Sequence, residues 1–155
     1  MSRAFVRNSD GEPEPLPERA VSTHPNFVTP RGLAQIEARV QELSAQRQAA
    51  KAGGERDPLA RIERDLRYWS ARRASARLIT PGSAADRVRF GMRVTLRLGK
   101  GVSQTFQLVG EDEADAAQGL LSYVAPLAQS LLGRGVGERV PFQGGEAEIE
   151  SIGTP

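Results

Sequence analysis

The sequence predicts an α+β chain: an antiparallel helical hairpin over residues 29–79, then a small antiparallel sheet with one short helix over residues 80–155. Three observations lead there. Apolar residues recur at spacings of three and four on both sides of Gly53-Gly54, the periodicity of two amphipathic helices. From Val88 onward the period shortens to two, and glycines divide the run into strand-length pieces. One segment in the second half opens with Pro126 and closes before Gly133, the punctuation of a short helix.

Residues 1–28 read as a flexible N-terminal extension. Pro13, Pro15, Pro17 and Pro25 interleave with Glu12, Glu14 and Glu18, and too few apolar residues are present to bury. Proline removes backbone donors and favours extended chain. His24, the only histidine, lies here without a second partner for chemistry, so a solvated side chain is expected.

Residues 29–79 read as a coiled-coil arm. Thr29-Pro30 is a cap followed by proline at the first helical position. Leu33, Ile36, Val40 and Leu43 then form one stripe. Gly53-Gly54 stops this helix, and Asp57-Pro58 is expected to cap the next. Leu59, Ile62, Leu66, Trp69, Arg73 and Ala76 continue the stripe on helix two. Two such stripes joined by a short turn bury each other.

Residues 80–155 supply the sheet. Val88 to Leu98 is expected as a first strand, with Val88, Phe90, Met92, Val94, Leu96 and Leu98 on one face. Gly99-Lys100-Gly101 turns the chain into a second strand, Thr105 to Val109. Leu120 to Tyr123 is a third strand, and Pro126 to Leu132 the helix. Val140 to Phe142 and Ala147 to Ile152 complete the sheet around a Gly144-Gly145 turn.

The net charge of +2 is unevenly spread. Residues 1–28 carry 3 Lys/Arg against 4 Asp/Glu, residues 29–79 carry 11 against 6, and residues 80–155 carry 7 against 9. The middle third is therefore basic and suited to polyanions, although arginines are also good solvated helix formers. The absence of cysteine excludes disulfides and thiolate metal sites. No apolar run is long enough to span a bilayer, so a cytoplasmic protein with no membrane partner is expected. No Ser-His-Asp set and no phosphate loop is present; Gly133-Arg134-Gly135-Val136-Gly137 lacks the strand-then-helix context such a loop needs.

The run Val109-Gly110-Glu111-Asp112-Glu113-Ala114-Asp115, followed by Leu121-Ser122-Tyr123-Val124-Ala125-Pro126-Leu127-Ala128 and ending at Gly133, resembles the C-terminal domain of the bacterial Gre transcript-cleavage factors. That family has a V-G-x-x-E-A-D turn, then a strand leading into S-P-[IL]-A-x-x-L-[IL]-G. Phe90-Gly91 stands where the family has F-G, and Phe27-Val28-Thr29-Pro30-Arg31-Gly32-Leu33 resembles its first helix start. The resemblance implies an FKBP-like sheet domain that docks on bacterial RNA polymerase, with the arm entering the secondary channel. Glu113, Asp115, Ser122, Pro126 and Leu127 would then be docking residues, and Arg61, Arg64 and Arg72 a basic patch toward the RNA 3′ end. The factor would be a monomer, with no cofactor and no active site of its own. In the family, tip carboxylates help hold a polymerase-bound Mg²⁺.

This tip lacks the family's G-D-L-S-E-N-A-E-Y motif and reads Lys51-Ala52-Gly53-Gly54-Glu55-Arg56-Asp57-Pro58. The hairpin is also shorter than the family's arm, by about one or two helical turns of ~5.4 Å each. Glu55 and Asp57 are the tip carboxylates. They either replace the missing acids or serve as a turn residue and a helix cap. Accordingly the function is expected to be modulation of elongation, with stimulated transcript cleavage as one outcome. Channel blocking or initiation control without cleavage is the alternative. A prolyl isomerase or chaperone of the same fold is a third, disfavoured by the sparse aromatics.

Overall fold

The computed structural model describes residues 16–83 and 85–155; the expected Glu12, Pro13, Glu14 and Pro15 of the extension lie outside them. The first helix starts where the sequence places it. Thr29 Oγ1 accepts the Gly32 N–H at 3.0 Å, Pro30 takes the first position, and α1 runs Pro30–Ala52. Its 23 residues give a length of ~35 Å. At the far end Gly53 N–H reaches the Ala49 carbonyl at 3.0 Å, and Gly54 adopts φ +67.

Helix α2, Arg56–Ser75, begins two residues before the Pro58 start that an Asp57 cap would give. Glu55 holds the cap position, with no side-chain cap bond, and its carbonyl accepts the Leu59 N–H at 3.2 Å. Pro58 is tolerated inside the first turn because the first N–H groups of a helix have no intrahelical acceptor. Asp57 is therefore a first-turn acid rather than the cap. The helices pack antiparallel with unequal burial. Ile36, Val40, Leu43 and Ala50 of α1 are buried. Leu59, Ile62, Leu66 and Trp69 of α2 are only half-buried, because two helices cannot cover each other on all sides. The expected stripe member Arg73 is exposed, and Arg72 is the buried residue instead.

The expected extension is shorter than 28 residues. Phe27–Val28 form strand β1, paired in parallel with β2, Arg77–Leu78, just beyond α2. Asn26 and Val28 are buried. This two-stranded ribbon ties the start of α1 to the end of α2.

The sheet contains β3 (Arg93–Leu98), β4 (Ser103–Val109), β5 (Leu120–Ser122), β6 (Arg139–Phe142) and β7 (Gly145–Gly153), in the order β5-β4-β3-β7-β6. The first strand is shorter than expected because Gly91 turns the chain at φ +86; Val88 and Met92 reach the interior from outside the sheet. The sheet is also not wholly antiparallel, since β5 runs parallel to β4. The connection after Val109 carries the chain back through a 3₁₀ turn, Ala116–Gln118, before β5 begins. Helix α3, Pro126–Leu131, packs Ala128 and Leu131 onto Val94, Leu96, Leu108, Val140, Ala147 and Ile149. The β6–β7 hairpin turns at Gln143 (φ 49) and Gly144 (φ 78), the two positive angles of a type I′ turn.

Candidate functional site

The acidic turn after β4 faces the arm, and it organises the junction between the two halves of the chain. Arg72 is 2% exposed, and its Nε donates to Asp112 Oδ2 at 2.5 Å. Its Nη2 donates to Asn26 Oδ1 at 2.8 Å and lies 3.6 Å from Glu111 Oε2, a charge contact rather than a hydrogen bond. Tyr68 Oη donates to the other Asp112 oxygen at 2.5 Å, and Ser22 Oγ donates to Glu111 Oε1 at 3.0 Å. Asn26 Nδ2 returns a bond to the Arg72 carbonyl at 2.7 Å. A buried guanidinium is thus met by two carboxylates and an amide, which a buried charge requires.

Glu113 completes the junction on α1. It is 7% exposed and accepts the Thr29 hydroxyl, the same side chain that caps the helix. A Cβ on Gly32 would stand 2.8 Å from Glu113 Oε1, so glycine is what lets the carboxylate approach. Gly110 plays the matching part at β1, where a Cβ would fall 2.4 Å from the Phe27 carbonyl oxygen. Phe27, Phe90 and Tyr123 close the junction as an aromatic trio with ring centroids 5.3–6.0 Å apart. The Tyr123 hydroxyl donates to the Pro25 carbonyl.

Two tyrosines report this environment. Burial, then the hydrogen bond to Asp112, pushes the Tyr68 phenol up to about 12. Burial, then the charge of Glu111, raises Tyr123 above its usual value.

These positions change the roles expected from sequence. Glu113 is turned inward and is not a surface docking residue. Arg72 is buried in the junction and is not part of a basic patch. Arg61 is exposed, as expected, whereas half-buried Arg64 pairs with Asp65 at 3.3 Å. Further along α2, Arg67 Nε donates to both oxygens of Glu18 at 3.0 Å, a contact that holds the Glu18 carboxyl below the usual range. The Arg19 guanidinium lies 4.0 Å from the Tyr68 ring centroid and reaches Asp65 at 3.4 Å. Residues 18–26 therefore lie along α2 and the junction. Composition gave no signal for this, because no periodicity marks a strap held by single polar contacts.

The remaining expected docking residues share the outer part of the sheet domain. Asp115 is exposed and its Oδ1 accepts the Ala117 N–H at 3.1 Å. Ser122 ends β5 and is half-buried. Pro126 is exposed and Leu127 half-buried. The last two border a mostly apolar depression of about 490 Å³ with Ser130, Pro141, Phe142 and Gln143. Phe142 was not singled out in the sequence; β6 brings it beside α3.

At the tip, Glu55 and Asp57 are exposed, and neither carboxylate accepts a hydrogen bond among the described residues. Among those residues no group of three or more His, Cys, Asp or Glu side chains is placed to hold a metal ion. No helix among them is long and apolar enough to cross a membrane.

Residues 83–152 match the family model described as the C-terminal part of the transcription elongation factors GreA/GreB. The transcription elongation factor GreA of Alkalilimnicola ehrlichii is 33% identical over 125 residues, spanning 77% of this chain and 79% of the relative. That of Ruegeria pomeroyi is 30% identical over 146 residues, spanning 81% of this chain and 94% of the relative. The solved structure of the transcription elongation factor GreA/GreB from Nitrosomonas europaea aligns with 83% of this chain and 98% of its own, at 21% identity and a TM-score of 0.41. By sequence, this chain belongs to the Gre family of transcription elongation factors.

Proposed function

We propose that this chain modulates elongation by binding bacterial RNA polymerase in the cytoplasm, as a monomer, with the sheet domain as the docking part. The observation that carries this reading is the corner of exposed Pro126 and half-buried Leu127 beside Phe142, an apolar depression at the position of the family's S-P-[IL]-A segment. Exposed apolar patches with a polar surround mark protein interaction sites. Asp115 and Ser122 stand close in sequence on the same connection and would orient the contact.

The arm would then project its tip toward the polymerase's catalytic centre. Glu55 and Asp57 are hard oxygen donors without internal partners, so they suit a magnesium ion held by the polymerase. Such an ion polarises phosphate and activates water for hydrolysis of the transcript. The chain's own contribution would be two carboxylates and their position. Arg61 and Arg64 would face the RNA 3′ segment; Arg64 already shares its charge with Asp65.

A binding and cleavage assay on a stalled, backtracked polymerase complex tests this. Pro126→Glu should weaken binding and leave the fold intact, because that side chain is exposed, whereas half-buried Leu127 also packs against the core. Glu55→Gln or Asp57→Asn should leave binding intact and remove cleavage stimulation. Undiminished binding by the first variant would refute the docking surface, and undiminished cleavage by both tip variants would refute the tip assignment.

A further inference from the structure

We propose a second site on this chain: a pocket for a phosphate group, built by Arg31 and Arg93 where the outer sheet face meets the first turn of α1. The two arginines line one depression of about 300 Å³ together with Thr105, Gln107 and Gln118. Its walls hold two guanidiniums and the Gln118 amide and no carboxylate; the Thr105 hydroxyl already meets Thr95 Oγ1 at 2.9 Å, and the Gln107 amide donates to the Gly91 carbonyl at 3.3 Å.

The absence of a carboxylate sets this depression apart from two other arginine-lined hollows. Arg97 and Arg139 share a hollow with Glu146 and Glu148. Arg47 and Arg67 share one with Glu63. In those places the acids meet the arginines: Arg47 with Glu63 at 3.2 Å, Arg97 with Glu148 at 3.6 Å and Arg139 with Glu146 at 3.7 Å.

The strand register explains why Arg93 has no such partner among the described residues. Arg93 and Arg97 occupy the same outward face of β3, four residues apart. Opposite Arg97 stands Glu148 on β7, and opposite Arg93 stand Gly153 on β7 and Gln107 on β4. A cross-strand carboxylate would stabilise an arginine at this position, and neither neighbour supplies one. Arg31 adds a cation to the first turn of α1, where a helix end favours negative charge and where this helix has no acidic residue. Of the acids on the turn before β5, Glu113 accepts the Thr29 hydroxyl and Asp115 the Ala117 N–H, and neither lines the depression. Two guanidiniums lining one depression without an acid supply the donors that bind phosphate oxygens. The volume admits a phosphate with an attached sugar and is too small for a folded partner. A phosphate can come from a free nucleotide or from a nucleic-acid backbone, and both present the same oxygens.

The test is an NMR titration of the full ¹⁵N-labelled chain with three probes: inorganic phosphate, adenosine 5′-monophosphate, and a short oligouridylate without terminal phosphate. Saturable shifts confined to the amides of Gln107, Gln118 and Gly119 are expected. Arg31→Gln and Arg93→Gln should each weaken binding by about tenfold, the effect of losing a charged hydrogen bond. Arg97→Gln, on the same strand face, should leave it unchanged. The two variants lie on different elements and both residues are exposed, so loss of fold in one leaves the other informative. Tighter binding of the monophosphate identifies a terminal phosphate as the ligand; tighter binding of the oligouridylate identifies the backbone. No saturable shift with any probe, or equal loss with Arg97→Gln, would overturn the site.

Discussion

Replacing Arg72 with methionine is the sharpest probe of the junction. The guanidinium is 2% exposed and bonds Asp112 at 2.5 Å and Asn26 at 2.8 Å, with Glu111 at 3.6 Å. Methionine keeps most of the apolar stem and removes the charge. Asp112, whose side chain is 12% exposed, is left with only the Tyr68 hydroxyl. Removing one partner of a buried pair costs about 3–5 kcal/mol, because the other charge stays desolvated. For a chain of this size about 1 kcal/mol shifts Tm by roughly 2–4 °C, so a fall of roughly 6–20 °C is expected.

Far-ultraviolet circular dichroism follows the melt, and the fluorescence of the single tryptophan, Trp69, follows the arm locally. Because Arg72 links the arm to the sheet domain, the two signals should coincide in the parent chain and separate in the variant. Adding Asp112→Leu should restore at least half of the loss, since an apolar pair of similar volume can replace a buried ion pair. A shift below about 2 °C for Arg72→Met, or an additive loss in the double variant, would show that the pair does not bear the junction.

Three further outcomes follow from the same geometry. In an alkaline absorbance titration neither tyrosine should reach half-ionisation by pH 10, with Tyr68 near 12. Both phenols are raised on folding, so they contribute stability below the unfolded value of about 10 that is lost as pH rises through the folded values. Asp112→Asn should lower the Tyr68 midpoint, and an unchanged midpoint would remove Asp112 as a cause. In urea denaturation, Ile36→Ala should cost about 2–5 kcal/mol and Leu66→Ala distinctly less, because Ile36 is 1% exposed and Leu66 only half-buried. Equal losses would contradict the unequal burial of the two helices.

The elements were legible where a local rule fixes them. Thr29-Pro30 and Pro126 mark helix starts, Gly53-Gly54 a stop, and Gly144 a hairpin turn, because caps and positive backbone angles leave few choices of residue. The second helix start was less legible, since Asp57-Pro58 fits both a cap and a first turn. The parallel pairing of β5 was not legible at all, because pairing partners depend on where a loop returns. The junction was hidden for a related reason. Seven arginines lie on or at the ends of α2 between Arg56 and Arg77, and periodicity does not say which faces an acidic turn 40 residues away. The stripe pointed to Arg73, and the neighbouring position is the buried one.

The acids that look most like a functional cluster, Glu111, Asp112 and Glu113, are spent inside the molecule. The arm acts as a lever on its base. The arm is ~35 Å long, so a rotation of about 3° at its base moves the tip by about 2 Å. A tip carboxylate proposed to meet a metal at about 2.1 Å would not tolerate such an error. Apolar packing alone permits small sliding and rotation, whereas hydrogen-bonded charges have directions. Arg72 on α2 and Thr29 at the start of α1 are each held by an acid of the same turn, Asp112 and Glu113. Both helices are thereby fixed to one rigid connection of the sheet domain, and β1 pairing with β2 ties them to each other. The domain proposed to dock thus also sets the direction of the arm, and the acidic turn couples the two.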